Sequence, residues 1–286
     1  MDNHDPGAHR APPEQAGTGE QQGTTGSTAG LELLVDEHEE EVSVGGRTER
    51  HRGVYLLPNL FTTGALFAGF YAIISALRGN YEAAAIAVFV AMVFDGLDGR
   101  VARLTNTSSK FGAEYDSLAD MVSFGVAPAL VVFSWALDGL GKFGWSVAFI
   151  YVACAALRLA RFNTRIDTAD KNYFTGLASP AAAAIIASTV WACQDEGWVG
   201  AGLPYELSVI VGLLTAVVGV LMIANFPYHS FKGIDFKGRV PFVVMILVVL
   251  VFGLVTVDPP RILLLAFLVY AASGPVTRFL KWRRGA

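Results

Sequence analysis

Residues 94–128 read FDGLDGRVARLTNTSSKFGAEYDSLADMVSFGVAP, and the four carboxylates in this stretch decide how the chain is understood. Asp95, Asp98, Gly99, Ala102 and Arg103 follow one another at the spacing of one face of an α-helix. Asp116 and Asp120 are one helical turn apart, again on a single face. The short polar run from Thr105 to Lys110 can turn the chain between them. Two adjacent helices would then point two carboxylate pairs at each other.

The surroundings of this stretch are apolar. Of the 286 residues, 53% are hydrophobic and 16% charged, with a mean hydropathy of +0.47. An ordinary soluble domain carries about a quarter charged residues. Apolar segments run near 56–77, 82–104, 112–137, 143–163, 177–194, 206–225, 239–257 and 261–280. Each approaches the roughly 20 residues that cross a hydrocarbon core as a helix. Lipid cannot hydrogen-bond an open backbone, so helices are expected throughout. The fold class read from the sequence is an all-α integral membrane protein with about eight transmembrane helices.

Charge position is more informative than the net value of -4. Arg47, Arg50, Arg52, Lys110, Arg158, Arg161, Arg165, Lys171, Lys232, Lys237, Arg239, Arg278, Lys281, Arg283 and Arg284 fall in one set of loops or span ends. The opposite set holds Arg78, Lys142 and Arg261. This bias and an even number of spans both place the termini and the aspartates on the cytoplasmic side. Cys154 and Cys193 lie inside apolar runs and read as small buried hydrophobes, without disulfide or zinc spacing. Residues 1–30 lack the apolar side chains that offset ordering entropy, so a disordered tail without a signal peptide is expected.

A single carboxylate at a helix end is ordinarily a cap or a snorkelling side chain. Four at helical spacing in a chain poor in charge are a different case, because like charges at low dielectric repel strongly. Arg103 supplies one compensating charge, and a cation must supply the rest. Oxygen donors without His or Cys suit Mg2+ or Mn2+ better than zinc. Gly99 and Ala102 share the aspartate face. They admit either a neighbouring helix or a ligand.

Written D-x-x-D-G-x-x-A-R-x8-G-x-x-x-D-x-x-x-D, the residues Asp95, Asp98, Gly99, Ala102, Arg103, Gly112, Asp116 and Asp120 resemble the CDP-alcohol phosphotransferase signature at every fixed position. The resemblance implies a six-helix membrane core whose metal-bound aspartates grip the diphosphate of a CDP-linked substrate, with CMP as leaving group. It makes Asp95, Asp98 and Asp116 metal ligands of a two-metal site, and Asp120 both ligand and general base. Gly99, Ala102, Arg103 and Gly112 would line the nucleotide site. Asn59 and Thr62, at the start of the first span, are either nucleotide contacts or helix caps.

Within that family the chain is similar to the membrane-embedded phosphatidylserine synthases, over LPNLFTTGALFAGF (57–70), 100–129, RLARFN (158–163), FTGLASPAAA (174–183) and, more weakly, YHSFK (228–232). Tyr115 departs from a position commonly aliphatic, with a change of packing expected. The implied substrates are CDP-diacylglycerol and L-serine, in a homodimer in the inner membrane of a bacterium, with membrane lipids and no nucleic acid as partners. The serine carboxylate calls for a guanidinium or clustered donors. Arg158, Arg161, Ser123 and Ser179 are the candidates for it. The expected organisation is a tail (1–30), a juxtamembrane segment (31–54), a catalytic transmembrane core (55–225) and a C-terminal helix pair with a basic tail (226–286). The competing readings are another acceptor, glycerol 3-phosphate or an inositol phosphate, and a divalent-cation or proton-coupled transporter.

Overall fold

The computed structural model describes residues 41–44, 47–50, 56–105, 110–164, 173–198, 203–229 and 242–283. The expected tail at 1–30 lies outside them, as do Arg165, Lys171, Lys232, Lys237 and Arg239. The chain divides into two compact units, Met1–Gly53 and Val54–Ala286. Strands β1 (Glu41–Val44) and β2 (Arg47–Arg50) form an antiparallel hairpin in the first.

Among the described residues of the second unit there are eight helical rods, close to the eight apolar segments of the sequence. They are α1 (Leu56–Leu77), α2 (Tyr81–Thr105), α3 (110–140), α4 (Lys142–Asn163), α5 (Ser179–Asp195), α6 (Tyr205–Ile223), α7 (Phe242–Val257) and α8 (Pro259–Arg283). Five contain stretches long and apolar enough to cross a membrane: Pro58–Leu77, Phe111–Leu140, Lys142–Asn163, Tyr205–Ile223 and Pro259–Leu280. The others fall short for local reasons. Helix α2 carries Asp95, Asp98, Arg100 and Arg103 towards one end, and α5 and α7 have 17 and 16 residues. The chain is an all-α integral membrane protein.

Small residues let the rods approach closely. Ala68, Ala72 and Ala76 of α1 are buried, as are Ala84, Val88 and Ala91 of α2, and these two helices pack along one another. Gly79 (φ 76°) turns the chain between them, and the Asn80 side chain accepts from the Ala83 N–H at 3.3 Å to cap α2. Helix α5 is apolar and buried nearly all round, from Ala181 to Val190, and forms the centre of the bundle. By contrast Phe67, Phe70, Leu77, Phe149, Leu213 and Leu265 stand on the outside, where lipid is the natural solvent.

Rod α3 is not a uniform α-helix. It is α-helical over Lys110–Asp120, π-helical over Met121–Val126, α-helical over Ala127–Val132 and π-helical again over Phe133–Leu137, with a 3-10 turn at Asp138–Leu140. The first wide turn closes with an Ala127 N–H to Val122 carbonyl bond and begins directly after Asp120. A π turn changes the angle between successive side chains and so re-aims everything beyond it.

A short antiparallel ribbon, β3 (Tyr173–Thr175) with β4 (Pro227–His229), joins the entry of α5 to the exit of α6. Gly176 follows β3 at φ 90°, and its N–H donates to the Phe226 carbonyl at 2.9 Å. A Cβ there would lie 2.2 Å from the Met222 carbonyl oxygen. Helix α8 packs on α5, and the buried Tyr228 donates to the Ala271 carbonyl at 2.9 Å. At the other end of α8, Arg261 pairs with Asp258 and Glu196.

Because Gly176 combines a left-handed backbone with a closed space, Gly176→Ala should destabilise the protein by on the order of 1–3 kcal/mol. The thermal midpoint in detergent measures this, and an unchanged midpoint would count against the tight crossing of α5 entry and α6 exit.

Candidate metal centre

The loop between α2 and α3 is short, so the end of one helix and the start of the other are held at the same end of the bundle. Their aspartates pair in antiparallel order. Asp95 lies within hydrogen-bonding reach of Asp120, and Asp98 within reach of Asp116. One carboxylate oxygen from each of Asp95, Asp98 and Asp116 lies within 4.8 Å of the others. Asp98 is 5% exposed, while Asp95, Asp116 and Asp120 are half-buried. The site is a cup of hard oxygen donors with mutual repulsion among all four groups. Its donor chemistry fits a divalent cation of the magnesium or manganese kind.

Helix α1 braces this cup from one side. Thr62 is 3% exposed and donates to Asp98 Oδ2 at 2.9 Å, while also lying 3.2 Å from the Pro58 carbonyl of its own helix. Thr63 and the Tyr115 hydroxyl meet at 2.9 Å, and the Tyr115 ring stacks on Phe111 with centroids 6.0 Å apart. The aromatic residue at 115 therefore adds a polar tie between α3 and α1, beyond the packing change expected of it. Helix α1 begins at Leu56, so Asn59 and Thr62 lie inside it and do not act as its caps.

The nucleotide-side candidates have distinct environments. Gly99 is exposed, and a Cβ on it would meet nothing within 4 Å. Ordinary helix packing therefore does not account for it, and the aspartate face is open there. Ala102 and Gly112 are half-buried, and the exposed Arg103 folds back so that Nε donates to the Gly99 carbonyl at 2.8 Å.

The four acceptor candidates separate. Arg158 is at the cup, acting on Asp120 and Asp95, and its Nη1 donates to the buried Ser179 Oγ. Arg161, one turn further along α4, instead donates to the Ile223 carbonyl at 3.0 Å and to Asn225 Oδ1, clamping the end of α6. Ser123 is fully buried and donates to the Ala65 carbonyl at 3.0 Å. Ser123 lies in the π-helical stretch that follows Asp120, and its hydroxyl is engaged with α1. Asn163 donates to Ser117 Oγ at 3.0 Å and fastens α4 to α3 between two of the aspartates.

The model of the family described as CDP-alcohol phosphatidyltransferase matches residues 55–270. The chain belongs to this family. A CDP-diacylglycerol--serine O-phosphatidyltransferase of Helicobacter pylori is 40% identical over 200 residues, covering 70% of this chain and 82% of the relative. An enzyme of the same description from Mycobacterium bovis is 41% identical over 164 residues, covering 54% and 56%. An archaetidylserine synthase of Methanothermobacter thermautotrophicus is 36% identical over 179 residues, covering 62% and 71%. As a CDP-alcohol phosphatidyltransferase, the chain carries the aspartate cup within the matched region, together with Thr62, Arg158, Ser179 and the whole of the β3–β4 ribbon.

Thr62 was legible in the sequence as a polar residue near a helix start. Its bond to Asp98 was not, because the partner is 36 residues away. Side chains that orient metal-binding groups typically contribute tenfold to a hundredfold in affinity or activity. Thr62→Val should accordingly raise the Mg2+ or Mn2+ concentration for half-maximal activity by about tenfold or more, and Thr62→Ser should restore it. Equal metal titrations for all three proteins would remove Thr62 from this role.

Proposed function

We propose that this chain transfers the phosphatidyl group of CDP-diacylglycerol to the hydroxyl of L-serine, giving phosphatidylserine and CMP. The observation that carries the reading is Arg158, a guanidinium bonded to Ser179 at the rim of the aspartate cup, where an acceptor carboxylate would meet it. The names of the relatives, several of them serine O-phosphatidyltransferases, support the same acceptor.

Asp95, Asp98 and Asp116 would hold the divalent metal, with Asp120 completing a two-metal site. A divalent cation held by these aspartates would supply the positive charge that offsets the diphosphate and the departing CMP. The remaining work falls to the chain's own groups. The open face at Gly99, with Ala102, Arg103 and Gly112, takes the nucleotide end. Arg158 orients the serine carboxylate, and Asp120, beside it, takes the proton of the serine hydroxyl. The freed oxygen forms a bond to the phosphorus that bears diacylglycerol, and the bond from that phosphorus to the CMP oxygen breaks. CMP leaves with the electron pair.

The Lys and Arg bias supports a cytoplasmic cup in the inner membrane of a bacterium. The homodimer implied by the family resemblance is part of the proposal. Glycerol 3-phosphate or an inositol phosphate would bring a phosphate to the acceptor side. Among the described residues there, Arg158 meets the cup while Arg161 is committed to the α6 end. That favours a carboxylate over a phosphate.

The purified protein, given CDP-diacylglycerol and Mn2+ or Mg2+, should release CMP with L-serine and far more slowly with glycerol 3-phosphate or inositol phosphate. CMP release driven best by a phosphorylated acceptor would overturn the serine assignment, and none with any acceptor would return the transporter reading. Asp120→Asn should lower turnover by about a hundredfold to ten-thousandfold with CDP-diacylglycerol binding retained. Near-normal turnover would take the base role from Asp120.

A further inference from the structure

The start of rod α3, which carries Asp116 and Asp120, is lightly packed. From Phe111 to Asp120 only Ala119 is buried, while Phe111, Ala113, Glu114 and Leu118 are exposed. Beyond Asp120 the packing tightens. Ser123, Phe124 and Gly125 are buried, and a Cβ on Gly69 of α1 would come within 2.7 Å of the Ser123 Cα. Helical spacing brings Asp116 to the cup, but little burial holds it there against the repulsion of the other carboxylates.

Hydrogen bonds take the place of burial, and they stand on either side of Asp116. The residue before it, Tyr115, meets the Thr63 hydroxyl of α1 at 2.9 Å. Thr63 gives its own hydrogen to the Asn59 carbonyl at 2.7 Å, so the phenol is the donor in this pair. The residue after it, Ser117, gives its hydrogen to the Ala113 carbonyl at 3.0 Å and accepts from Asn163 Nδ2 of α4 at 3.0 Å. Beside Thr63 on α1 is Thr62, which donates to Asp98 of α2. Consecutive threonines thus tie α1 to both of the helices that bear the Asp98 and Asp116 pair.

We propose that Tyr115 and Ser117 are positioning residues of the metal centre, clamping the turn of α3 that bears Asp116 to α1 through Thr63 and to α4 through Asn163. Oxygens of Asp95, Asp98 and Asp116 lie within 4.8 Å of one another, a separation at which like charges push their helices apart. With a cation bound, that repulsion is offset. Without one, the clamp opposes it and keeps the donors ready. A site held in its binding geometry takes up its ligand at lower cost. The clamp therefore acts on metal affinity, through residues that neither hold the ion nor touch substrate. This inference rests on the metal-centre reading and deepens it.

The test measures Mn2+ binding to the purified protein in detergent, read from loss of the paramagnetic resonance signal of the free ion. Tyr115→Phe and Ser117→Ala remove only hydroxyls, and each should raise the Mn2+ dissociation constant about fivefold, the net worth of one hydrogen bond. Thr63→Val should match Tyr115→Phe, and the two together should be no worse than either, because they break the same bond. Ser134→Ala is the structural control. It breaks another bond from α3 to α1, to the Ala76 carbonyl at 3.2 Å towards the far end of α1, and should leave Mn2+ affinity unchanged. Unchanged affinity in either Tyr115→Phe or Ser117→Ala would overturn the proposal, as would an equal loss in Ser134→Ala. Unaltered protein that takes up no Mn2+ would overturn the metal-centre reading instead, so the two failures are distinguishable.

Discussion

Four carboxylates converge between the end of α2 and the start of α3, and their mutual repulsion is the constraint to which the surrounding structure answers. Like charges at such separations can share a site only if protonated or opposed by positive charge. Arg158 supplies one such charge, and the oxygen-only donor set is suited to divalent metal for the rest. The same repulsion that disfavours an empty cup favours a doubly charged cation over a singly charged one. It also explains why so much nearby hydrogen bonding is directed at keeping the helices in place. Thr62 on Asp98, Thr63 on Tyr115 and Asn163 on Ser117 each tie a neighbouring element to the cup.

Helix α1 has two faces with separate tasks. Its alanine seam lets α2 lie close, and its threonines reach over to Asp98 and Tyr115. The large apolar residues of the same helix, Phe67 and Phe70 among them, face outward to lipid. A helix that is apolar all round by sequence is thus divided by side-chain size, with small residues inside and bulky ones outside. That is the arrangement expected where lipid removes the hydrophobic drive between helices and close packing must replace it.

The surroundings of Arg158 are built differently from the aspartate cup. They join Arg158 of α4 to Ser179 of α5, with the β3–β4 ribbon and the Arg161 clamp holding the ends of α5 and α6 together. Aspartates that lie on a helical hairpin need little more than their own spacing. A bond between side chains of separate helices, such as that of Arg158 to Ser179, depends on how the bundle packs.

The sequence alone determined the membrane class, the positions of the eight helices and the pairing of the aspartates. Each follows from local physics: apolar length sets a span, helical periodicity sets a face, and a short turn makes neighbouring helices antiparallel. The spacing that placed Asp95 and Asp98 on one face, and Asp116 and Asp120 on another, is what brings them together in the structure. Tertiary structure decided what spacing cannot carry. It separated Arg158 from Arg161, although both lie on one stretch of α4, because the end of α6 happens to need a donor where Arg161 stands. It bonded Ser123 to the Ala65 carbonyl of α1, within a π turn that no residue pattern announces. It also brought α8 onto α5 and the β3–β4 ribbon, because contacts between elements far apart in the chain are set by how whole helices pack and not by any local preference.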